Sequence, residues 1–424
     1  MVEYNVLVLG LDDLNLDTLR DLPAARDYRF HPLLSPEELL EAERLDLSAL
    51  LDKARRQIKE FDGEVHGIVG YWDFPVSSMV PILCAEFDLP GARLEAVVKC
   101  EHKYWSRVEQ QKVIDEHPRF GIVDIDGDSA VPAGMDFPMW LKPVKSASSD
   151  LAFQVRDERE FTEAVEAIRE GIDRIGKPFD VVLEHLELPK EIEDVGGRAC
   201  LAEEEVTGRQ VTVEGYAFEG KVHVYGIVDS VTYPESTTFL RFQYPSSVPA
   251  SVAERLEELS REVITQMGLD GSTFNVEYFW DPESDALCLL EINPRHSQSH
   301  ALLFENVDGV PNHQAMVQLG LGVEPTLARG EGAYDVAAKW FLRRFTDGLV
   351  RRSPTKEEVE QVEREIPGVT VNIVAQQGER LSDLASQDSY SYELADIFVG
   401  GCSEDDLVAK YERCVEALRF DFDD

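Results

Sequence analysis

The sequence predicts an α/β and α+β chain in three parts: an open α/β domain over residues 1–95, a larger domain over 96–329 and a C-terminal α+β domain over 330–424. Three observations predict it. Two apolar runs near the start, YNVLVLG and VHGIVG, are separated by an amphipathic stretch, as strands alternate with helices in a mostly parallel sheet. The middle carries long runs, CLAEEEVTGRQVTVEGYAF and KVHVYGIVDSV, broken at Gly208 and Glu219-Gly220 as antiparallel strands are. The last third mixes AAKWFLRRF, GVTVNIVAQ and YELADIFVG with a closing helix.

Each element follows from local signals. The first strand ends at Gly10, and the LDDLN after it is no G-x-G-x-x-G loop, so a dinucleotide site is not expected. Ser35 caps and Pro36 opens a single helix running to Phe61. Asp73 follows the second strand, where it either faces a ligand or caps the next helix. A boundary falls at Pro90-Gly91. EHKYWSRV opens a helix, MWLKPVKSASSD is a strand entering a small-residue loop, and EREFTEAVEAIREGI is an amphipathic helix. In SVAERLEELSREVITQMGL, Val252, Leu256, Leu259 and Val263 form one apolar stripe. STFNVEYFWDPESDALCLLEINPR reads as a hairpin turning at residues 281–285, and Ser403 with Asp406 reads as a capping box.

Composition excludes several classes of function. The net charge of −41, from 82 acidic and 41 basic residues, is spread along all 424 positions, and arginine takes most of the basic ones. Such a surface suits high salt, where ions screen its self-repulsion, and points to a halophile. It disfavours nucleic-acid binding. No D-x-D-x-D-G calcium loop occurs. The six cysteines form no C-x-x-C pair, which fits reduced thiols in a cytoplasm better than disulfides or zinc. No apolar run reaches membrane length and no signal peptide is expected.

The chemistry concentrates in LLEINPRHSQSH, where Glu291, Asn293 and Arg295 alternate as an apolar run ends. Folding the hairpin with Trp280 opposite Ala286 sets Asn275 against Glu291 and Thr273 against Asn293. One face then carries Phe274, Val276, Tyr278, Trp280, Cys288, Leu290 and Ile292. The other carries Asn275, Glu277, Glu291 and Asn293, with Glu277 and Glu291 as diagonal neighbours. Two carboxylates and an amide oxygen suit Mg²⁺ completed by phosphate oxygens. Arg295 lies one step beyond, where its fork of donors fits a phosphate. The plainer alternative is a solvated polar face. Phe279, Leu287 and Leu289, assigned to the same face, argue against it, because a buried carboxylate needs a partner. In a lysine-poor chain, Lys142 and Lys145 beside a Ser-rich loop also stand out. His296, Ser297, Ser299 and His300 are weighed evenly between substrate contacts and ordinary polar loop residues.

With FNVEYFW and LLEINPR in place, the chain resembles the ATP-grasp superfamily from about residue 96 to 322. The resemblance implies an ATP-grasp fold flanked by a pre-ATP-grasp domain and a C-terminal domain, with a lid over residues 139–215. It makes Glu277, Glu291 and Asn293 the metal ligands, and Lys103 in EHKYWSRV and Lys142 in MWLKPVKSASS the phosphate-binding lysines. Lys145, Ser146, Ser148 and Ser149 correspond to the phosphate loop, although KSASSD lacks that loop's glycines. LAEEEVTGRQ resembles the adenine linker, with Glu203, Glu204 and Val206 near the base. Gln210 stands where relatives carry a ribose-binding glutamate, so Glu203 or Glu214 is the substitute. The stretch LELPKEIEDVGGRAC reads as an insertion of unassigned role.

The implied function is a ligase that uses ATP and Mg²⁺, with Mn²⁺ able to substitute, to turn a small-molecule carboxylate into an acyl phosphate for attack by an amine. Arg295 and Lys142 would stabilise the moving charge. The alternatives are a biotin carboxylase-like enzyme activating bicarbonate, and a non-catalytic ATP-binding module. No nucleic-acid or membrane partner is expected, and a homodimer is compatible with this reading.

Overall fold

The computed structural model describes residues 4–23, 25–40, 45–127, 129–146, 150–234, 236, 238–384 and 391–423. It opens with β1 (Tyr4–Leu9), β2 (Tyr28–Leu33) and β3 (Gly67–Val69), paired in parallel in the order β2-β1-β3. Sequence reading missed β2. Its YRFHPL lacks alternation, and Pro32 is tolerated because the strand lies at the edge with one neighbour. The single helix expected from Ser35 has two described pieces, Pro36–Leu40 and Leu47–Glu60. Ser35 does cap the first, its hydroxyl accepting from the Glu38 amide at 3.4 Å. Asp46 starts the second, accepting from the Ala49 amide at 3.0 Å.

A small antiparallel sheet follows. Its strands are β4 (Phe120–Val123), β5 (Met139–Pro143), β6 (Phe153–Val155) and β7 (Cys200–Glu204), in the order β4-β7-β5-β6. Helix Glu158–Gly171 covers it with Phe161, Val165 and Ile168. The sheet thus begins at Phe120 and closes at Glu204, so the span 139–215 omits β4 and takes in part of the next sheet.

That next sheet holds eight antiparallel strands. They comprise β8 (Arg209–Phe218), β9 (Lys221–Thr232), β10 (Phe239–Tyr244), β11 (Ser272–Asp281), β12 (Ala286–Asn293) and β13 (Val336–Arg344). After β14 (Leu349–Arg352) come β15 (Val369–Ile373) and β16 (Tyr392–Gly401), which complete the set, while β14 pairs apart with β17 (Asp421–Asp423). The order is β12-β11-β8-β9-β10-β13-β16-β15. β8 and β9 meet at the predicted turn, where Glu219 and Gly220 both have positive φ, 49° and 73°. From residues 330–424, β13, β16 and β15 join the central sheet, with β13 bonded to β10.

The apolar side of the central sheet packs Val211, Val213, Phe274, Val276 and Leu289 under helix Ala250–Met267, whose Val252, Leu256 and Val263 are buried as the stripe predicts. The N-terminal domain docks twice. Met316 and Val317 of helix His313–Gly320 join the cluster around Val6 and Val8. Phe179, Val182 and Leu183 of helix Asp173–Leu183 join the cluster around Leu51 and Met79, as does Ile192 of the stretch 186–200, with Leu186 and Leu188 packed against it.

Candidate functional site

The hairpin of β11 and β12 determines where the carboxylates point. Its register differs from the expected one. Asp281 pairs with Ala286 and Trp280 with Leu287, and a bulge interrupts the ladder between Glu277 and Tyr278. The bulge re-phases β12. Glu277 lies directly opposite Glu291, and Asn275 opposite Asn293, so the carboxylates are facing neighbours rather than diagonal ones. Leu287 and Leu289 fall in the apolar cluster with Ile292, not on the polar face, while Cys288 and Leu290 are only half-buried.

On the polar face the Asn293 amide nitrogen donates to Asn275 Oδ1 at 2.9 Å and to Glu277 Oε1 at 3.3 Å. Its own oxygen is therefore turned away from them. Gln210 Nε2 on β8 donates to Glu277 Oε2 at 2.8 Å. The Glu277 carboxyl is pushed up to about 7, by burial first and by Glu291 second, with Arg295 pulling the other way. Burial also raises Glu291, but Lys103 and Lys142 outweigh it and leave Glu291 below the usual range. Among the described residues no group of three or more His, Cys, Asp or Glu side chains is gathered to hold a metal. Two facing carboxylates do fit Mg²⁺, which needs few protein ligands when phosphates and water supply the rest.

Three cations from distant segments converge here. Lys103, at the start of helix Lys103–Gln110, forms an ion pair with Glu291, and its Nζ donates to the Ser146 carbonyl at 3.1 Å. Lys142 on β5 pairs with Glu203 Oε2 at 2.5 Å. Arg295 pairs with Asp73 of the N-terminal domain, and its Nη1 donates to the His296 carbonyl at 3.2 Å. Asp73 therefore faces the site and does not cap a helix with its side chain. Lys145 lies 3.6 Å from Glu101 and over the rings of Phe74 and Phe179. Ser146 is buried beside it, while Ser148 and Ser149 lie outside the described residues.

Sequence reading missed Arg107, one turn past Lys103. Its guanidinium donates to Glu203 Oε1 at 2.7 Å and to the carbonyls of Leu289 at 3.1 Å and Leu290 at 2.6 Å. It thus ties the Lys142 partner to the backbone just before Glu291. The (i, i+4) spacing to Lys103 was the one available signal. His102 was missed too. Its Nδ1 accepts from the Trp105 amide at 3.2 Å, and its Nε2 meets the Gly196 carbonyl at 3.0 Å, linking the insertion to the Lys103 helix.

Toward the linker, Glu203 is committed to Arg107 and Lys142, and Glu204 Oε2 accepts from Arg119 Nε at 2.7 Å. Val206 is half-buried between β7 and β8. Glu214, the other suggested ribose partner, lies elsewhere. It is fully buried, and it accepts from the Ser297 amide at 3.0 Å and the Tyr225 hydroxyl at 2.9 Å, and bonds His300 Nδ1 at 2.8 Å. His296 is turned inward. Its Nε2 is 2.7 Å from His313 Nδ1, whose ring bonds Asn15 Oδ1 at 2.8 Å, so it joins the domains rather than facing the site. Ser299 Oγ accepts from Lys339 Nζ at 3.3 Å. No helix among the described residues is long and apolar enough to cross a membrane, and all six cysteines are free.

Residues 135–301 match the family model of the ATP-grasp domain. No curated protein matches the sequence. Among solved structures, L-amino acid ligase from Bacillus licheniformis is similar over 100% of both chains, at 15% identity and a TM-score of 0.71. Phosphoribosylglycinamide synthetase from Anaerococcus prevotii is similar over 99% of this chain and 100% of its own, at 14% identity and a TM-score of 0.65. Biotin carboxylase from Campylobacter jejuni, in a complex named for β-γ-ATP, is similar over 99% and 92%, at 14% identity and a TM-score of 0.63. Likeness at such identity establishes the fold, and the chain has the ATP-grasp fold.

Proposed function

We propose that the chain is an ATP- and Mg²⁺-dependent ligase that joins a carboxylate to an amine through an acyl phosphate. One observation carries the reading. Glu277 and Glu291 face each other on one sheet surface, and Lys103, Lys142 and Arg295 reach the same region from three separate segments. Polyphosphate chemistry needs this pattern, because charge moves between oxygens while the protein itself forms no bond.

Glu277 and Glu291 would hold Mg²⁺, joined by the Asn293 oxygen once that amide turns over, and the ion would supply positive charge to the phosphates. Lys103 and Lys142 each now lie against a carboxylate, and a phosphate oxygen would compete for the same ammonium. Arg295 is held by Asp73, so an anionic acyl phosphate at Arg295 would take up a position beside the N-terminal domain. The small sheet carrying Lys142 would act as a lid, excluding the water that hydrolyses an acyl phosphate.

The test is ADP release from ATP across paired carboxylic acids and amines in molar KCl, with a heavy-oxygen label in the acid. Turnover that requires both partners and moves label into phosphate is the expected result. Turnover indifferent to the acid and the amine would sink the reading. Dependence on bicarbonate and biotin would decide for a carboxylase.

A further inference from the structure

We propose that His300 is the general base of the amine-attack step, held in the required tautomer by Glu214. The proposal rests on the ligase reading above, and it assigns a catalytic atom, Nε2 of His300, that this reading leaves unused.

The Glu214 carboxylate accepts at both oxygens, Oε1 from the Ser297 amide and Oε2 from the Tyr225 hydroxyl. An acceptor so engaged takes the imidazole as a donor, so the proton of His300 resides on Nδ1, 2.8 Å from Oε1. In the neutral ring Nε2 then carries the lone pair. That atom is buried and has no hydrogen-bond partner among the described residues. A buried polar atom without a partner costs stability and calls for an explanation, and the remainder of the ring is tightly held. Its edge packs on Phe242 with centroids 4.9 Å apart, and Lys339 anchors the neighbouring Ser299.

The location suits the role. Glu214 on β8 pairs with Asn275 on β11, and Asn275 pairs with Asn293, so the dyad shares a row of the sheet with the edge of the proposed metal site. A carboxylate–imidazole pair beside an acyl phosphate has one evident use. The amine, bound as its free base, adds to the acyl carbon and the C–N bond forms. Nitrogen gives one proton to Nε2, the C–O bond to phosphate breaks, and phosphate leaves with the electron pair. Glu214 balances the imidazolium until its proton passes to the departing phosphate. An amine reaches Nε2 only when the turn Gln298–His300 gives way, which keeps the lone pair from bulk water until the substrate arrives.

The test compares two nucleophiles in one enzyme. With ATP and whichever carboxylate in the panel supports turnover, hydroxylamine traps the acyl group as hydroxamate with little need of a base, whereas an alkylamine needs its proton removed. In His300→Gln the amide rate should fall about 100-fold, within the usual range for a general base. It should fall at least ten times more than the hydroxamate rate. Glu214→Gln, which keeps the shape and removes the balancing charge, should give a smaller loss of the amide rate with the same preference over the hydroxamate rate. The titratable and charged groups facing His300 are Glu214, Tyr225, His296, Arg295 and, through Ser299, Lys339, and they are unchanged in His300→Gln. Equal losses for both nucleophiles in folded His300→Gln and Glu214→Gln would overturn the proposal. A wild type that makes neither hydroxamate nor amide would instead overturn the ligase reading beneath it.

Discussion

Glu277 is the side chain at which burial and charge are most directly opposed. Its carboxyl titrates near 7 because burial and Glu291 disfavour ionisation more than Arg295 favours it. A raised carboxyl contributes stability that is fully present below the ordinary carboxylate pKa of about 4.3 and is lost as pH rises through the folded value. Magnesium needs the ionised form, so proton and metal compete. Without magnesium, Tm of the wild type should fall between about pH 4.5 and 7 relative to Glu277→Gln. The rise in Tm on adding Mg²⁺ should grow over the same interval, and an equal rise at both ends would refute the assignment. Glu291→Ala should abolish Mg²⁺-dependent ATP turnover while the protein still melts cooperatively. Retained turnover at saturating Mg²⁺ would remove Glu291 from the metal set. Arg295→Ala should lower kcat more than it weakens ATP binding, since Arg295 lies beyond the residues proposed to hold the metal, where the acyl phosphate would form. Lost ATP affinity with an undiminished maximal rate would place it wrongly. These residues were legible because each sits in a short run whose residue types suit phosphate and metal. Their partners were not. Lys103 meets Glu291 across 188 positions, and Asp73 meets Arg295 across 222, separations that local patterning cannot bridge.

At the scale of elements, the bulge in the β11–β12 hairpin matters most. Strict alternation read from the turn sets Trp280, Phe279 and Tyr278 one step out of register and the residues from Glu277 on two steps out, because the turn closes one residue tighter than read and the bulge adds a residue, neither of which leaves a local mark. Arg107 explains why the bulge persists: it accounts for the carbonyls of Leu289 and Leu290 that the irregular ladder exposes, and so fixes the entry to Glu291. Arg107→Met should cost about 3–5 kcal/mol, as breaking a buried ion pair typically does, and should abolish the Mg²⁺-induced rise in Tm. Arg107→Lys keeps the charge beside Glu203 but lacks the planar fork. It should recover much of the stability and little of the magnesium response. Full recovery of both in Arg107→Lys would show that charge alone was needed. The Lys103 helix is held at its start by His102, whose pKa burial lowers to about 4. A depressed histidine contributes stability that is present above its unfolded value, about 6.5, and is lost as pH falls toward 4. His102→Asn should flatten that part of the acid-stability curve, which chemical denaturation at each pH would measure. The role of the stretch 186–200 stayed unassigned in the sequence because its anchor, the Gly196 carbonyl, is a backbone group that side-chain patterning does not show.

For the whole molecule, the parts are joined by a continuous eight-stranded sheet and by polar contacts to the N-terminal segment, the half-buried Arg295–Asp73 pair and the buried His313–Asn15 bond. The overall strand-and-helix plan was legible from periodicity. That the last three strands extend the central sheet was not, because strand order is a long-range property. The surface poses a separate problem. With 82 acidic and 41 basic residues, pairs such as Arg159 with Glu163 leave most of the negative charge unmatched, and exposed pairs stabilise little in any case. Repulsion among the remaining carboxylates depends on screening. The Debye length is about 10 Å at 0.1 M salt and about 3 Å at 1 M, so Tm should rise steeply between those concentrations. KCl and NaCl should act alike, since the cause is charge density rather than a specific site. The effect should shrink as pH falls toward the sequence pI of about 4.5, where carboxylates protonate. Magnesium should add a second contribution by binding the folded site. In the Glu277→Ala, Glu291→Ala double variant that contribution should vanish while the bulk salt dependence stays. A Tm flat from low to molar KCl would show that the acidic surface is not an adaptation to salt. A magnesium response surviving in the double variant would mean that the ion acts by screening and not through the β11–β12 carboxylates.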